Sequence, residues 1–321
     1  MHARLLAATL SLGLASFALG QTDGGAAQPS PIPAPDPNQK METTIRVVAP
    51  PSSAKPAPGA DTVATADDLL TLLESAGKDL RTFQANLRKI KFFDEIDGGG
   101  THEQAGTLVF VSEPQPDKEG RPQPARRKFA VTFDYTIFDG KNKNTDAQTF
   151  IFDGEWLTEK NAAAKQVHKR QVVPPGEIMD PLAVGEGPFP LPIGQKREKI
   201  LERFDAELLP PEKFGDFKGP GGKSGAPMPD VLRETWQLRL TPKPEFKGDY
   251  RLSEARIWYR KDNLMPRMAW TKEKDGTNEY FLTATRENEP VPEGAFDTTK
   301  PDGWVEQVDV FRRAQQPNQA P

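Results

Sequence analysis

The chain contains no cysteine. That excludes disulfides, thiolate metal sites and a lipid anchor carried on a cysteine, and leaves core packing to hold the fold. Histidine is nearly as scarce, at three in 321 residues. His2 falls in the leader described below. His102 and His168 stand far apart, with no second ligand at metal spacing, so both read as ordinary surface residues. No Gly-x-Ser-x-Gly elbow occurs. Gly221-Gly222-Lys223-Ser224 resembles the end of a phosphate-binding loop, but Phe217 stands where the motif needs its first glycine. Asp139–Asp146 hints at a calcium loop, with Lys141 and Lys143 where oxygen ligands are required. Asp94, Glu95 and Asp97 precede three glycines and read as a solvated loop. No metal, cofactor or enzymatic activity is expected from these residues.

Charge of one sign is also missing. Acids and bases are interspersed and the net charge is −4, so neither nucleic acid nor an anionic membrane surface is an expected partner. Long apolar runs are absent after the first twenty residues. Within those, Arg4, the run Leu5–Leu19 and the small residues before Gln21 read as an export signal. The run is too short for a membrane span, which needs about 20 apolar residues. A cleaved signal implies a soluble, exported, periplasmic protein.

Residues 21–62 are rich in Pro, Ala, Gly, Gln and Ser and read as a disordered spacer. Residues 313–321 have the same character. These ends dilute the 36% hydrophobic content, so that figure does not argue against a folded middle. Residues 63–312 are long enough for a single domain with a substantial core.

Within that domain, Leu69, Leu73, Ala76 and Leu80 recur at helical spacing. Thr65 and Asp68 form a capping-box pattern, predicting a helix over Val63–Leu80. From Phe83 the period moves toward two. Strands are predicted at Phe83–Phe92, Thr107–Val111, Lys128–Tyr135, Phe150–Phe152, Glu155–Thr158, Gln166–Val173, Leu232–Leu240, Arg251–Arg260, Pro266–Lys272 and Glu279–Thr285. A second helix is predicted at Gln195–Phe204. Glu113–Pro124 and Phe214–Pro229 read as insertions, and Pro174–Gly194 as a Pro/Gly-rich passage. About nine or ten alternating strands with short turns make an antiparallel sheet that must curl or close, with a helix to cover it.

The strongest local signal is Gln148–Arg170. Asp153-Gly154 between apolar runs predicts a two-residue type I′ hairpin, pairing Ile151 with Trp156 on one face and Phe150 with Leu157 on the other. Apolar residues thus fall on both faces, which points to a binding surface. Phe129, Val131, Phe133, Phe150, Phe152, Trp156, Trp236, Leu238 and Trp270 either fill a core or line an apolar concavity. Such a concavity would take acyl chains.

The order of these pieces resembles a known family. Helix LLTLLESAGKDLRTFQANL, strands GTLVF and RRKFAVTF, hairpin TFIFDGEWLTEKNAAAKQVHKR, strands ETWQLRLTP and SEARIWYRKDNLMPRMAW, and the closing PVPEGAFDTTKPDGWVEQV are similar to the LolA/LolB-like lipoprotein carriers of the Gram-negative periplasm. The most specific parts are the Asp-Gly-x-Trp hairpin and the ending Phe296-Asp297-x(5)-Asp302-Gly303-Trp304. The resemblance implies an α+β fold, mainly β with helices: a half-closed antiparallel β-barrel covered by α-helices, monomeric, with a cavity for lipoprotein acyl chains or another lipid. It implies a closing loop with phenylalanine followed by a last strand. An inner-membrane donor and an outer-membrane acceptor protein are the implied partners. Arg126 and Arg127 stand nearest the arginine that controls lid opening in the family. Departures are the Pro-rich spacer, the insertions, and the absence of the cysteine that anchors the outer-membrane receptor. The other reading is an envelope interaction or sensor domain of the same fold, binding a protein partner through its sheet edge.

Overall fold

The computed structural model describes residues 57, 59, 62–94, 99–116, 119–174, 177, 180, 184, 194–214, 228–248 and 251–310. All lie within one compact unit, Ala49–Pro321. The export signal, most of the spacer, Glu95 and Asp97, the Gly221–Ser224 loop, most of the Pro174–Gly194 and Phe214–Pro229 stretches, and the tail beyond 310 lie outside the described residues.

Helix α1 (Ala66–Gly77) starts where the capping box places it: Thr65 N–H donates to Asp68 Oδ2 at 2.9 Å and Asp68 N–H returns to Thr65 Oγ1 at 3.2 Å. Leu69, Leu70 and Leu73 form its buried stripe. Seven strands follow: β1 (Thr82–Phe93), β2 (Thr101–Pro116), β3 (Pro122–Phe138), β4 (Asn142–Asn144), β5 (Gln148–Phe152), β6 (Trp156–Asn161) and β7 (Gln166–Gln171). Helix α2 (Arg197–Arg203) leads directly into β8 (Phe204–Leu209). Strands β9 (Thr235–Pro242), β10 (Leu252–Arg260), β11 (Pro266–Glu273), β12 (Gly276–Glu287) and β13 (Val305–Asp309) complete the chain.

These strands form one open sheet in the order β13-β7-β6-β5-β3-β2-β1-β12-β11-β10-β9-β8, with β4 beside β3. It is two antiparallel meanders zipped together where β12 returns to β1. Among the described residues the fold is therefore mainly β with two α-helices, open as a half-barrel is and not closed, as the sequence predicts. Three details differ. Among the described residues the sheet has thirteen strands: β13 is the last strand that the resemblance implies, whereas β4 is three polar residues and β8 runs straight on from the second helix, so neither stands out in the pattern. The supposed insertion at Glu113–Pro124 is the far end of the β2–β3 hairpin, with Glu113 opposite Arg126 and Pro116 opposite Pro122. The last strand is parallel: β13 lies beside β7, with Val305 opposite Gln166.

The β5–β6 hairpin forms with its register moved on by one pair. Phe152 faces Leu157 and Ile151 faces Thr158, and Asp153 N–H donates to Trp156 O at 3.1 Å. The two-residue loop is thus Gly154-Glu155. Only its first position has positive φ (Gly154, +107°), the type II′ pattern and not I′. Asp153 is the reason: its Oδ1 accepts from Glu155 N–H at 3.0 Å and Trp156 N–H at 2.9 Å, so it closes the turn from outside the loop. Facing residues change, but parity does not. Ile151 and Trp156 still share one face, and Phe150 and Leu157 the other.

Strand pairing assigns every side chain to one of two faces. The face holding Phe129 is called inner and the opposite face outer. The outer face is covered twice by its own chain. Over β9–β11, Leu232, Trp258, Met268 and Trp270 pack with Phe214 and Met228. Over β2, β3 and β5, Val109, Ala130 and Ile151 pack with Val291, Ala295 and Phe296.

Candidate functional site

The inner face is built from in-register rows that run across the strands. One is Phe83, Phe110, Phe129, Phe152 and Leu157, contributed in turn by β1, β2, β3, β5 and β6. All five are at most 5% exposed. Phe129 and Phe152 stack with ring centroids 5.9 Å apart. The next row carries Ala85, Leu108, Val131 and Phe150, and the one beyond it Leu282, Leu87, Gly106 and Phe133. Cross-strand aromatic and branched pairs of this kind are the unit of sheet stabilisation. Burial at roughly 25 cal/mol per Å² drives their packing.

The rows then turn polar. Leu238, Ile257, Ala269 and Tyr280 are followed in register by Lys89, Gln104 and Thr136. The next row reads Leu240, Ala255, Thr271, Asn278, Lys91, His102 and Phe138. Here Gln104 Nε2 reaches Thr136 Oγ1 at 3.5 Å, and Lys91 Nζ holds Asp275 Oδ2 at 2.5 Å. His102 is wedged edge-on between Phe93 (4.7 Å) and Phe138 (4.5 Å), so it is half-buried and not an ordinary surface residue. Desolvation lowers its pKa, and Lys91 and Lys89 push the same way against Asp139. Burial pushes the Tyr259 and Tyr280 phenols up. Desolvation brings Lys89 down to about 8, with Glu273 opposing.

Of the residues singled out in the sequence, Phe129, Val131, Phe133, Phe150 and Phe152 come together in one inner-face patch. Leu238 and Trp236 lie on the same face in the other meander, Trp236 opposite Tyr259. Trp156 and Trp270 do not join them. Trp156 shares the outer face with Thr158 and Ile151, and Trp270 belongs to the outer cluster with Trp258. Phe83, Phe110 and Lys89 were missed, although the alternation in β1 carries Phe83, Ala85 and Leu87 on to Lys89 and Lys91 without a break.

The two arginines part company. Arg127 is on the inner side, where Nη1 pairs with Asp180 and Nη2 donates to Gly194 O at 2.6 Å. Arg126 is on the outer side, 3.8 Å from Asp153 at the hairpin turn. Gly194 abuts the end of α1: a Cβ built on Gly77 would lie 2.1 Å from Gly194 Cα. Arg127 thus ties the sheet to the chain packed on the helix.

On the outer face, buried polar groups hold the covering segment. Trp258 Nε1 donates to Pro211 O at 3.0 Å, Gln237 Nε2 to Pro210 O at 2.9 Å, and Arg256 Nη1 to Lys213 O at 2.9 Å. At the other cover, buried Gln84 Nε2 donates to Pro290 O at 3.0 Å. A cavity of about 460 Å³ lies where β12 bulges at Ala284 and Thr285, lined also by Gln84, Asn86, Thr107 and Pro292. Among the described residues no cluster of three or more His, Asp or Glu is placed to hold a metal. No described helix is long and apolar enough to cross a membrane.

No protein-family profile and no curated protein matches the chain. Solved structures do. An uncharacterized conserved protein from Thermus thermophilus is similar at 11% identity, covering 76% of this chain and 98% of that one, with a TM-score of 0.38. The Mycobacterium tuberculosis lipoprotein LppX is similar at 12% identity over 71% and 97% of the two chains, TM-score 0.34. A LolA superfamily protein from Nitrosomonas europaea is similar at 10% identity over 73% and 98%, TM-score 0.23. The fold itself rests on the strand pairing.

Proposed function

We propose that this is an exported, non-enzymatic carrier that holds an apolar chain, the acyl chain of a lipoprotein or of another lipid, against the inner face of its half-barrel. The row Phe83, Phe110, Phe129, Phe152 and Leu157 supports this most, because it offers an unbroken apolar track across five strands. An extended chain lying along such a track is bound by area and not by directional contacts. The same row is buried by the protein's own residues, so loading requires the cover fastened by Arg127 to lift. Arg127 takes the lid-control role in this reading and Arg126 does not. Mass spectrometry of an organic extract of the purified mature protein tests it. Acyl-bearing lipid near one equivalent is expected; a lipid-free protein that also fails to take up a long-chain probe rules it out.

The second reading, a module that binds a protein through its sheet edge, has its own observation. β13 is an edge strand, with Val305 66% and Val308 50% exposed and Val310, just after it, 60%. An exposed apolar edge is a template for strand addition. Loss of a partner on Val308→Lys, with lipid content unchanged, would favour it.

A further inference from the structure

Not every cation of the inner face is held by an ion pair. On this face Lys91 is neutralised by Asp275 and Arg127 by Asp180. Lys89 has no ion pair and no hydrogen-bond acceptor among the described residues; its Nζ lies 5.8 Å from the centre of the Tyr280 ring. It is half-buried. Register places it between Tyr280 and Gln104, directly beyond the apolar residues Ala269 and Ile257 of the same row. Glu273 and Asp275 favour its charge from a distance and Lys91 opposes it, but neither acid is within ion-pair reach: Glu273 accepts from Asn278 Nδ2 at 2.9 Å and Asp275 from Lys91. Keeping an unpaired ammonium in a partly dry place is costly, and desolvation already brings its pKa to about 8. Such a group is relieved by an anion, and the nearby Thr136 hydroxyl, which accepts from Gln104 Nε2 at 3.5 Å, keeps its own proton to donate to an anionic oxygen.

We infer that Lys89 is the head-group site of the trough, and that the ligand is an acidic amphiphile whose carboxylate or phosphate meets Lys89 while its chain runs along the apolar rows. This rests on the proposed trough and names its substrate class. Charge complementarity selects the occupant: a neutral lipid would leave the ammonium as unsatisfied as before, whereas an anionic head pairs it in a low-dielectric setting.

The test compares palmitate with hexadecanol, chains of equal length that differ in head-group charge, by titration calorimetry on the mature protein at pH 7. Wild type is expected to bind palmitate at least tenfold more tightly. Lys89→Gln should bring palmitate down to the hexadecanol level and leave hexadecanol unchanged, which also shows that the variant is folded. Lys89→Arg should keep the preference, and it decides the matter if Lys89→Gln binds neither probe. Equal affinities in wild type, or an undiminished preference in Lys89→Gln, overturn the head-group site while the trough stands. Failure of wild type to bind either chain overturns both. Inorganic phosphate competing as well as palmitate would mean a free-anion site and overturn the amphiphile.

Discussion

Arg127 Nη2 donates to the carbonyl of Gly194 at 2.6 Å, and Gly194 is packed against Gly77 at the end of the helix that begins at Thr65. One side chain on β3 therefore fastens the sheet to the segment that borders the helix. A hydrogen bond from a charged group is worth about 1.5–3 kcal/mol, and this one is backed by the Asp180 ion pair. Arg127→Leu should lower the free energy of local opening around Gly77 and Gly194 by about 1–3 kcal/mol. Hydrogen exchange there should speed up, and a bound acyl probe should leave faster. Arg126→Leu, on the other face, should change neither. Equal behaviour of the two variants would remove Arg127 from the fastening.

The outer-face cover makes a separate prediction. Pro210 and Pro211 have no N–H, so this stretch is held by its carbonyls, to which Trp258 and Gln237 donate. Trp258→Phe keeps an aromatic ring in the cluster but takes the shorter of two donors from the buried Pro211 carbonyl, leaving it only Gln237 Nε2 at 3.3 Å. The expected cost is about 1–2 kcal/mol, read from urea unfolding. Faster proteolytic cutting after Lys213 should accompany it, with lipid content unchanged because Trp258 is not on the inner face.

Much of this was legible in the sequence, and the losses have physical reasons. The helix start followed from Thr65 and Asp68, whose side chains alone supply both caps. The hairpin kept its faces even though Asp153 moved the turn by one pair, because a register shift of that kind leaves parity intact. The reason for Gly77 is the close crossing of Gly194, far along the chain, which no local pattern carries. Alternation sets Trp156 with Ile151 and across from Phe150, as observed, but with apolar residues on both faces it does not say which face is inner, nor does it assign Trp270. β13 is exposed along its whole length, so it leaves no alternation to detect. It is fixed instead by contacts to β7, among them His168 Nε2 to Asp309 Oδ2 at 2.6 Å.

That last pair gives a pH dependence. The hydrogen bond from His168, and then the one from Gln307, hold the Asp309 carboxyl below its ordinary range. A depressed folded-state value means the contribution is present above the unfolded pKa, about 3.9, and is lost as pH falls through the folded one. Protection of the amides of residues 305–309 should therefore hold down to about pH 5 and fall away below about pH 4. In Asp309→Asn the protection should already be reduced at pH 5 and change no further. An unchanged acid profile in that variant would exclude the pair as the clasp for β13.

Lys89 makes the opposite kind of prediction. Desolvation brings its folded-state pKa to about 8, below the ordinary lysine value of about 10.4. Between those two values the unfolded chain binds more protons than the folded one, so this group makes stability rise with pH across that window. Below it, the charged amine is a fixed burden on the empty protein. Lys89→Met should thus be more stable than wild type at pH 7, with the gap narrowing as pH rises from 8 to 10. Tyr259 and Tyr280, whose phenols burial pushes up, pull the other way near pH 10 by resisting ionisation only when folded. They do so in both proteins, so the difference between the two denaturation series isolates the lysine. A gap that stays constant with pH would mean that the ammonium is solvated and carries no burden. Saturating palmitate should close the gap at pH 7 from the wild-type side, since the anion relieves in wild type what the methionine removes outright.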